Sequence, residues 1–204
     1  MNTSTTVIVM AKAPVPGFVK TRLIPTLGAD GAAALADRLL HATVAQVIAA
    51  DIGPVDLCCA PDPAHPAFAR YLTSAAIDLS DQGEGDLGAR MTRAFERSLR
   101  NGTCAVMIGT DAPALDAAML ARAALALSDV DAVFVPAFDG GYALIGLRRA
   151  APSLFDEMPW STPAVMERTR ERLAAAGMTH IELPAVADID EAADLVHLPP
   201  GWLP

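Results

Sequence analysis

The chain has 204 residues, of which 52% are hydrophobic and 19% are charged, and its formal net charge is −9. This length and composition are typical of a single globular domain and exclude an intrinsically disordered chain. The acidic balance disfavours nucleic acid and anionic membranes as partners, because both select for basic surfaces.

The first half of the chain alternates between strand and helix patterns. The predicted elements are, in order, a strand over 7–10, a Pro/Gly-rich loop over 11–23, a helix capped by Asp30 and running to about Ala50, a strand over 55–60, a short helix over 66–73, a short strand over 76–79 and a helix over 86–100 closed by Asn101-Gly102. We call residues 11–23 the basic loop, since they carry Lys12, Lys20 and Arg22.

The second half continues the alternation. Its predicted elements are a strand over 103–109, a helix over 116–127, strands over 132–136 and 142–147, a helix from Thr162-Pro163 to Gly177, a strand beginning at 181–183 and a short helix over 191–196. Repeated βα units imply a mostly parallel sheet with helices on both faces. The expected fold class is therefore α/β, a Rossmann-like three-layer α/β/α domain with a mostly parallel mixed sheet.

The cysteines and the first residues of the sequence indicate the expected cellular location. Cys58, Cys59 and Cys104 lie in apolar runs without CxxC spacing, so we interpret them as reduced core residues. No basic segment followed by an apolar one opens the sequence, and no stretch approaches the length of a membrane span. Cytoplasm is the expected location, with a monomer or a homodimer as the expected state.

The basic loop follows directly after an apolar strand in an otherwise acidic protein. In open α/β sheets, ligands bind outside the carboxyl ends of the strands. A Gly such as Gly17 lets backbone N–H groups approach a phosphate, while Lys12, Lys20 and Arg22 would neutralise its charge. The alternative is a solvated connecting loop.

Two acidic segments also follow predicted strands. Asp111, in Gly109-Thr110-Asp111-Ala112-Pro113, would lie where a divalent cation can bridge a carboxylate and a nucleotide's phosphates, or it could simply form a turn or a helix cap. Asp190, in Asp188-Ile189-Asp190, could cap the last helix or supply a second metal carboxylate.

Two further segments suggest binding pockets. Asp139-Gly140-Gly141-Tyr142 is either a hairpin turn or an acceptor pocket in which Asp139 contacts hydroxyls or a metal, with Trp160 as a further lining residue. The segment around Gln82, Gly83, Asp86 and Gly88 precedes a helix and could accept a phosphate or a base edge. GxGxxG, GxxxxGK[ST] and GxSxG are absent from the sequence, which disfavours dinucleotide, P-loop and lipase-type sites.

Five ordered motifs resemble one bacterial family. They are Lys12-Ala13-Pro14-Val15-Pro16-Gly17 with Lys20-Thr21-Arg22-Leu23, Gly109-Thr110-Asp111-Ala112-Pro113, Asp139-Gly140-Gly141-Tyr142, Met158-Pro159-Trp160-Ser161-Thr162 and Asp188-Ile189-Asp190. The family is the uncharacterised "glycosyltransferase-like" family with a domain of unknown function, similar to phospholactate guanylyltransferase and, more remotely, to molybdenum-cofactor-type nucleotidyltransferases.

The resemblance implies a nucleotide-diphospho-sugar transferase (GT-A-like) fold over residues 1–204, with Mg²⁺ or Mn²⁺ as cofactor. It implies that Ala11, Lys12, Pro16, Gly17, Lys20 and Arg22 contact the nucleotide and that Asp111 holds the metal. Asp190 is the expected second metal carboxylate, with Asp188 as the alternative. Relatives often carry Asp-Thr-Pro-Glu-Asp where this chain has Asp190-Glu191-Ala192-Ala193-Asp194, which puts the geometry of this segment in question.

The leading functional hypothesis is nucleotidyl transfer from a nucleoside triphosphate to a small phosphorylated or hydroxylated acceptor, with release of pyrophosphate. Lys20, Arg22, Asp111 and Asp139 would be the catalytic residues. The alternatives are glycosyl transfer from a nucleotide-sugar, with Asp139 as a base, and a non-catalytic nucleotide-binding protein.

Overall fold

The structure is a computed structural model, and it describes residues 4–72, 74–100 and 104–203. Its strands are β1 (Thr5–Lys12), β2 (Val55–Ala60), β3 (Ile77–Asp81), β4 (Cys104–Ile108), β5 (Ala132–Pro136), β6 (Tyr142–Leu147) and β7 (His180–Glu182). Its α-helices are α1 (Ile24–Ala50), α2 (Leu87–Leu99), α3 (Ala117–Ala126) and α4 (Val165–Ala175). Short 3-10 helices cover Thr21–Leu23, Pro66–Tyr71, Pro152–Leu154 and Ala192–His197.

All seven strands belong to one sheet, in the order β3-β2-β1-β4-β6-β5-β7. Every neighbouring pair is parallel except the two pairs that involve β6, which runs antiparallel to β4 and to β5. The hairpin between β5 and β6 inserts β6 between two strands of the parallel set. The predicted α/β class with a mostly parallel mixed sheet is confirmed.

The two faces of the sheet are covered by different helices. Alternate residues of β1 point to opposite faces, so Val9 packs in a core with Leu40 of α1 and Leu120 of α3. Ile8 packs on the other face with Phe95 of α2 and Leu173 of α4. The predicted three-layer arrangement follows from this alternation.

The boundaries of two helices differ from the sequence prediction. The first helix begins at Ile24 rather than at Asp30, and Gly28, with φ of +73°, interrupts it near its start. The last α-helix begins at Val165 rather than at Thr162-Pro163, and the Thr162 hydroxyl donates a hydrogen bond back to the Pro159 carbonyl at 2.7 Å instead of capping the helix. The predicted closure of α2 at Asn101-Gly102, as well as Thr73 and Thr103, lies outside the described residues.

Cys58 and Cys59 are buried and Cys104 is half-buried, all three as free thiols. Burial raises the pKa of the Cys59 thiol to about 12, consistent with an unreactive core position. Within the described residues, no helix has the length and apolar content required to cross a bilayer.

Candidate functional site

The functional segments meet at one edge of the sheet. β1, β4, β5 and β7 run parallel, so the residues that follow them emerge on the same side. The basic loop follows β1, Asp111 follows β4, Asp139 follows β5 and residues 188–190 follow β7. The Ile189 amide donates a hydrogen bond to the Asp111 carbonyl at 2.8 Å. This backbone contact holds the segment after β7 against the segment after β4.

Lys20 lies between the two carboxylates that were predicted to bind metal. Its Nζ atom is 2.5 Å from Asp111 Oδ1 and 3.8 Å from Asp190 Oδ1, and it donates to the Ile189 carbonyl. Only 5% of its side chain is exposed, whereas both carboxylates are about half exposed. Lys20 has the left-handed conformation, with φ of +46°, so the backbone turns sharply here and directs the side chain inward. We call these residues the Asp111–Lys20–Asp190 cluster.

Arg22 and Lys12 supply the other positive charges of the basic loop. The Arg22 Nη1 atom lies 3.0 Å from Asp190 Oδ2 and 3.3 Å from Glu191 Oε1, and its side chain is 58% exposed. Lys12 Nζ donates to the Phe18 carbonyl at 2.6 Å, which closes the loop on itself. The three cations therefore share one region, and two of them contact the same aspartate.

Two cavities meet at the cluster. The basic cavity, of about 300 Å³, is lined by residues that include Lys12, Lys20, Thr21, Arg22, Thr110 and Asp111. The larger cavity has a volume of about 410 Å³, and its polar lining includes Lys12, Gln82, Asp111, Asp139, Asp188 and Asp190. Met10, Lys12, Asp111 and Asp190 line both cavities. The Asp111–Lys20–Asp190 cluster thus lies where one ligand could meet another.

The larger cavity combines acidic and apolar surface. Its apolar lining includes Met10, Leu87, Met91, Met107, Ile145 and Trp160. Burial, followed by the nearby charges of Asp139, Asp194 and Asp190, raises the pKa of the Asp188 carboxyl above its usual range. The contribution of Asp139 to this shift shows that the two carboxyl groups lie near each other in the cavity.

The Asp139 segment is a hairpin turn that also lines the larger cavity. Asp139 Oδ1 accepts a hydrogen bond from the Gly141 amide at 2.8 Å, as in an Asx turn. Gly140 has φ of +92°, and a Cβ atom there would lie 2.3 Å from the Pro163 carbonyl oxygen. The hairpin alternative is confirmed. Asp139, Gly141 and Tyr142 also line the larger cavity, whereas Gly140 does not, and acceptor binding by this segment stays a prediction.

Tyr142 and Trp160 bury polar atoms without hydrogen-bond partners among the described residues. These atoms are the Tyr142 hydroxyl and the Trp160 Nε1. Burial also raises the pKa of the Tyr142 hydroxyl above its usual range. Both side chains line the larger cavity, and their role in acceptor binding stays a prediction.

Gln82 cannot present the paired donor and acceptor that was predicted for a base edge. Its Nε2 atom donates to the Ala11 carbonyl at 3.0 Å and to the Cys58 carbonyl at 2.9 Å. Both amide hydrogens are therefore used at the ends of β1 and β2, and only Oε1 remains for a ligand. This corrects the prediction, since Gln82 fastens two strand ends together.

Asp86 and Gly88, in the same segment as Gln82, also have structural contacts within the protein. Asp86 caps α2 through a hydrogen bond from the Ala89 amide to its Oδ1 atom, and a Cβ atom on Gly88 would lie 2.6 Å from the Phe155 carbonyl oxygen. Six of the predicted nucleotide-binding residues line neither cavity: Ala11, Pro16, Gly17, Gly83, Asp86 and Gly88. Ala11 is buried and offers its carbonyl to Gln82. Their contact with a nucleotide stays a prediction.

Three contributions were missed at the sequence level. Met91 and Met107 form part of the apolar wall of the larger cavity, although the sequence pattern predicts each of them as an ordinary core residue. Glu191 pairs with Arg22, and Arg93 donates to the Gln82 carbonyl at 2.9 Å. For the contact between Arg93 and the Gln82 carbonyl, the sequence offers one indication, which is the helical spacing of Arg93 after Asp86.

The residues of the cluster fit a hard divalent cation. Asp111 and Asp190 offer carboxylate oxygens, the ligand type that Mg²⁺ and Mn²⁺ prefer. In the part of the chain that the structure describes, no group of three or more His, Cys, Asp or Glu side chains could hold a metal ion. Two carboxylates are the usual protein contribution when phosphates and water complete the coordination of Mg²⁺.

The sequence matches the model of a bacterial family described as uncharacterised, DUF2064, over residues 43–162. The chain belongs to this family. No curated protein matches it significantly. The resemblance to an uncharacterised bacterial family is therefore confirmed for DUF2064, and the likeness to phospholactate guanylyltransferase stays a prediction.

Solved structures share the fold of this DUF2064 protein. A proposed nucleotide-diphospho-sugar transferase of Desulfovibrio desulfuricans G20 is 30% identical, with a TM-score of 0.86 over 95% of this chain and 85% of that one. The 4-diphosphocytidyl-2C-methyl-D-erythritol synthase of Anaerococcus prevotii is 9% identical, with a TM-score of 0.63 over 95% and 94%. Rv0371c of Mycobacterium tuberculosis is 16% identical, with a TM-score of 0.62 over 98% and 97%, and its complex with manganese is also known. The predicted nucleotide-diphospho-sugar transferase-like fold is confirmed.

Proposed function

We propose that this protein is a metal-dependent nucleotidyltransferase that joins a nucleoside triphosphate to a small acceptor and releases pyrophosphate. The observation that carries the proposal is the Asp111–Lys20–Asp190 cluster at the junction of a basic cavity and a larger, acidic one. The basic cavity suits a triphosphate, since Lys12, Lys20 and Arg22 line it. The fold shared with a diphosphocytidyl-methylerythritol synthase supports the same class of reaction.

The proposed reaction needs positioning and charge neutralisation rather than a covalent nucleophile. An acceptor oxygen in the larger cavity forms a bond to the α-phosphorus, and the bond from that phosphorus to the oxygen bridging to the β-phosphorus breaks. Lys20 and Arg22 stabilise the negative charge on the phosphates, and Asp139 takes the proton of the acceptor hydroxyl. Asp111 and Asp190 would hold a Mg²⁺ or Mn²⁺ ion, and this ion would polarise the phosphate oxygens.

The geometry favours Asp190 over Asp188 as the second metal carboxylate. Asp190 approaches the same ammonium nitrogen as Asp111, and both line the basic cavity. Asp188 lines only the larger cavity, where the charge of Asp139 acts on it. We therefore assign Asp188 to the acceptor side of the site.

Glycosyl transfer from a nucleotide-sugar is the second candidate. The similarity to a proposed nucleotide-diphospho-sugar transferase, at 30% identity over 95% of this chain, favours it. The diphosphate would occupy the basic cavity in the same way, and the acceptor would attack a sugar carbon instead of the α-phosphorus. Either reaction is consistent with the cytoplasmic location that the free cysteines support.

The test is ³¹P NMR of the protein with Mg²⁺, each of the four nucleoside triphosphates in turn and a pool of small hydroxylated and phosphorylated compounds. Nucleotidyl transfer predicts pyrophosphate together with a new phosphodiester signal. Release of a nucleoside diphosphate from nucleotide-sugars, without pyrophosphate from triphosphates, would replace it with glycosyl transfer. Absence of both products would leave a nucleotide-binding protein.

Asp111→Asn is the decisive variant, with Asp129→Asn as its matched control. Asp111 lies in the cluster, whereas Asp129 is exposed in the turn before β5, at the opposite end of the strands. We expect Asp111→Asn to lose turnover by a factor of at least about 100, as for other groups that stabilise transferring charge. The control should keep full activity.

A further inference from the structure

The carboxylates of the larger cavity are not balanced by cations. Among the described residues, four aspartates line it, Asp111, Asp139, Asp188 and Asp190, and Lys12 is the one basic residue. Asp111 and Asp190 are paired with Lys20. Asp139 and Asp188 form no salt bridge with any residue in the described ranges, which leaves two negative charges facing the cavity.

Lys12 forms no salt bridge with Asp139 or Asp188 within the described ranges. Its ammonium donates to the Phe18 carbonyl at 2.6 Å, within the basic loop, and it also lines the basic cavity. Lys20 and Arg22, the other cations of the edge, line the basic cavity and not the larger one. The positive charge of the site therefore lies on the side proposed for the triphosphate.

An anionic acceptor would pay an electrostatic cost in this cavity. Like charges a few ångströms apart repel by about 1 kcal/mol even in water and by more in a partly enclosed site. A hydroxyl or an ammonium group, in contrast, can donate hydrogen bonds to free carboxylate oxygens. Asp139 keeps Oδ2 for this purpose, because the Gly141 amide occupies only Oδ1.

The geometry points to an acceptor without negative charge: we infer that the larger cavity takes a small hydroxylated molecule that is neutral or cationic, and that it discriminates against phosphorylated ones. This inference rests on the proposed function and narrows its acceptor class, because both phosphorylated and hydroxylated acceptors fit the sequence equally well. Asp139 and Asp188 are the residues that set the preference, and Met107 and Trp160 offer apolar surface to the carbon skeleton.

Saturation-transfer NMR tests the preference directly. The protein is saturated with Mg²⁺ and a non-hydrolysable triphosphate analogue and then mixed with three pools: amino sugars and amino alcohols, the corresponding uncharged polyols, and the phosphate esters of the same polyols. We expect signals from the first two pools and at least about fivefold weaker ones from the third, which corresponds to about 1 kcal/mol. Equal or stronger signals from the phosphate esters, or no signal from any pool, would overturn the inference.

Variants that remove one charge distinguish an effect of the cavity carboxylates on acceptor binding from an effect of the protein's net charge. Asp139→Asn and Asp188→Asn should weaken binding of the cationic pool about fivefold and strengthen that of the phosphate esters, since Asn keeps the shape and the Oδ1 acceptor. Asp129→Asn, which removes one exposed charge elsewhere, should change neither. An identical response of all three variants would contradict a role for the cavity.

Binding of the triphosphate analogue is measured first, so that the two failures are distinguishable. If the analogue does not bind, the proposed function fails together with this inference. If the analogue binds and the phosphate esters then bind best, only the inference on the acceptor fails.

Discussion

Lys20 occupies the position that the proposed metal ion would share. Its ammonium lies 2.5 Å from Asp111 Oδ1 and 3.8 Å from Asp190 Oδ1, so a cation that binds these carboxylates competes with it. We expect Lys20→Met to bind free Mn²⁺ about tenfold more tightly in the absence of nucleotide, because the competing charge is removed. Electron paramagnetic resonance of free Mn²⁺ measures this affinity without any turnover.

Lys12→Met is the matched control for this prediction. Lys12 carries the same charge and lines both cavities, but it bonds to the Phe18 carbonyl rather than to the carboxylates. Its removal should tighten Mn²⁺ binding much less. Unchanged or weaker binding in Lys20→Met would mean that Lys20 and the metal do not use the same oxygens.

Gln82→Leu tests the structural role of the buried amide. The variant leaves the Ala11 and Cys58 carbonyls without their hydrogen bonds from Nε2, so we expect a loss of about 1–3 kcal/mol in the free energy of unfolding. Urea denaturation gives this value. Normal stability combined with an altered preference among nucleotides would instead support the base-reading role predicted from sequence.

Single residues were predictable from sequence to different degrees. Lys20, Asp111 and Asp190 were expected together because each follows a strand, and parallel strands bring their carboxyl ends to one edge. The partners of Gln82 were not predictable, since they are backbone carbonyls whose positions depend on the register of β1, β2 and β3.

The turn between β5 and β6 depends on a glycine that has no room for a side chain. Gly140 and Gly28 both have positive φ, +92° and +73°, but only a Cβ atom on Gly140 would meet another group, the Pro163 carbonyl oxygen at 2.3 Å. Gly28→Ala should cost about 1–3 kcal/mol from backbone strain alone, because φ of +73° with ψ of 167° is a conformation that glycine alone adopts readily. Gly140→Ala should cost clearly more, because the hairpin must also move away from the segment before α4.

Chemical denaturation of the two variants provides the comparison. An equal loss of stability in both would show that the contact with Pro163 is relieved at no cost. For Gly140→Ala we also expect weaker acceptor binding, since Asp139 and Gly141 line the larger cavity from the same turn.

The hairpin and the helix boundaries show where element prediction works. The Asp-Gly dipeptide between two apolar runs correctly predicted the turn that joins β5 and β6. The prediction placed the start of the first helix at Asp30, and Gly28, whose φ of +73° and ψ of 167° are not helical, does break the chain just before that point. What the prediction omitted is the short helical segment from Ile24 to Gly28, in which Pro25 lies in the first turn, where no N–H partner is needed.

The pH dependence of stability should include a contribution from Asp131. Hydrogen bonds from the Thr179 amide and hydroxyl, both 2.9 Å to Asp131 Oδ2, lower the pKa of this carboxyl. A carboxyl with a lowered pKa in the folded state stabilises the fold above its unfolded pKa, and this stabilisation is lost as the pH falls through the folded pKa. Asp131→Asn should therefore be less stable than the wild type at neutral pH, and the difference should close in acid.

Thermal unfolding of the two proteins across the acidic range measures this difference. Asp129→Asn, two residues earlier and exposed, is the control for the loss of one charge. A gap between wild type and Asp131→Asn that stays constant with pH would contradict the assigned hydrogen bonds.

The whole fold was predictable because its alternation of strands and helices allows few topologies. The placement of β6 beside β4 and the division of the edge into two cavities were not, since both depend on how segments distant in sequence pack. The charge of the larger cavity emerges only from this packing, which brings Asp139 and Asp188 to one wall.

The Asp111–Lys20–Asp190 cluster and the basic cavity together form the proposed metal-nucleotide site. Calorimetric titration of the protein with an α,β-methylene triphosphate analogue, with and without Mn²⁺, tests it most directly because no acceptor needs to be known. We expect the wild type to bind the analogue only with Mn²⁺ present, and we expect Asp111→Asn not to bind it. Binding that is equally tight without metal, or unchanged in the variant, would contradict it.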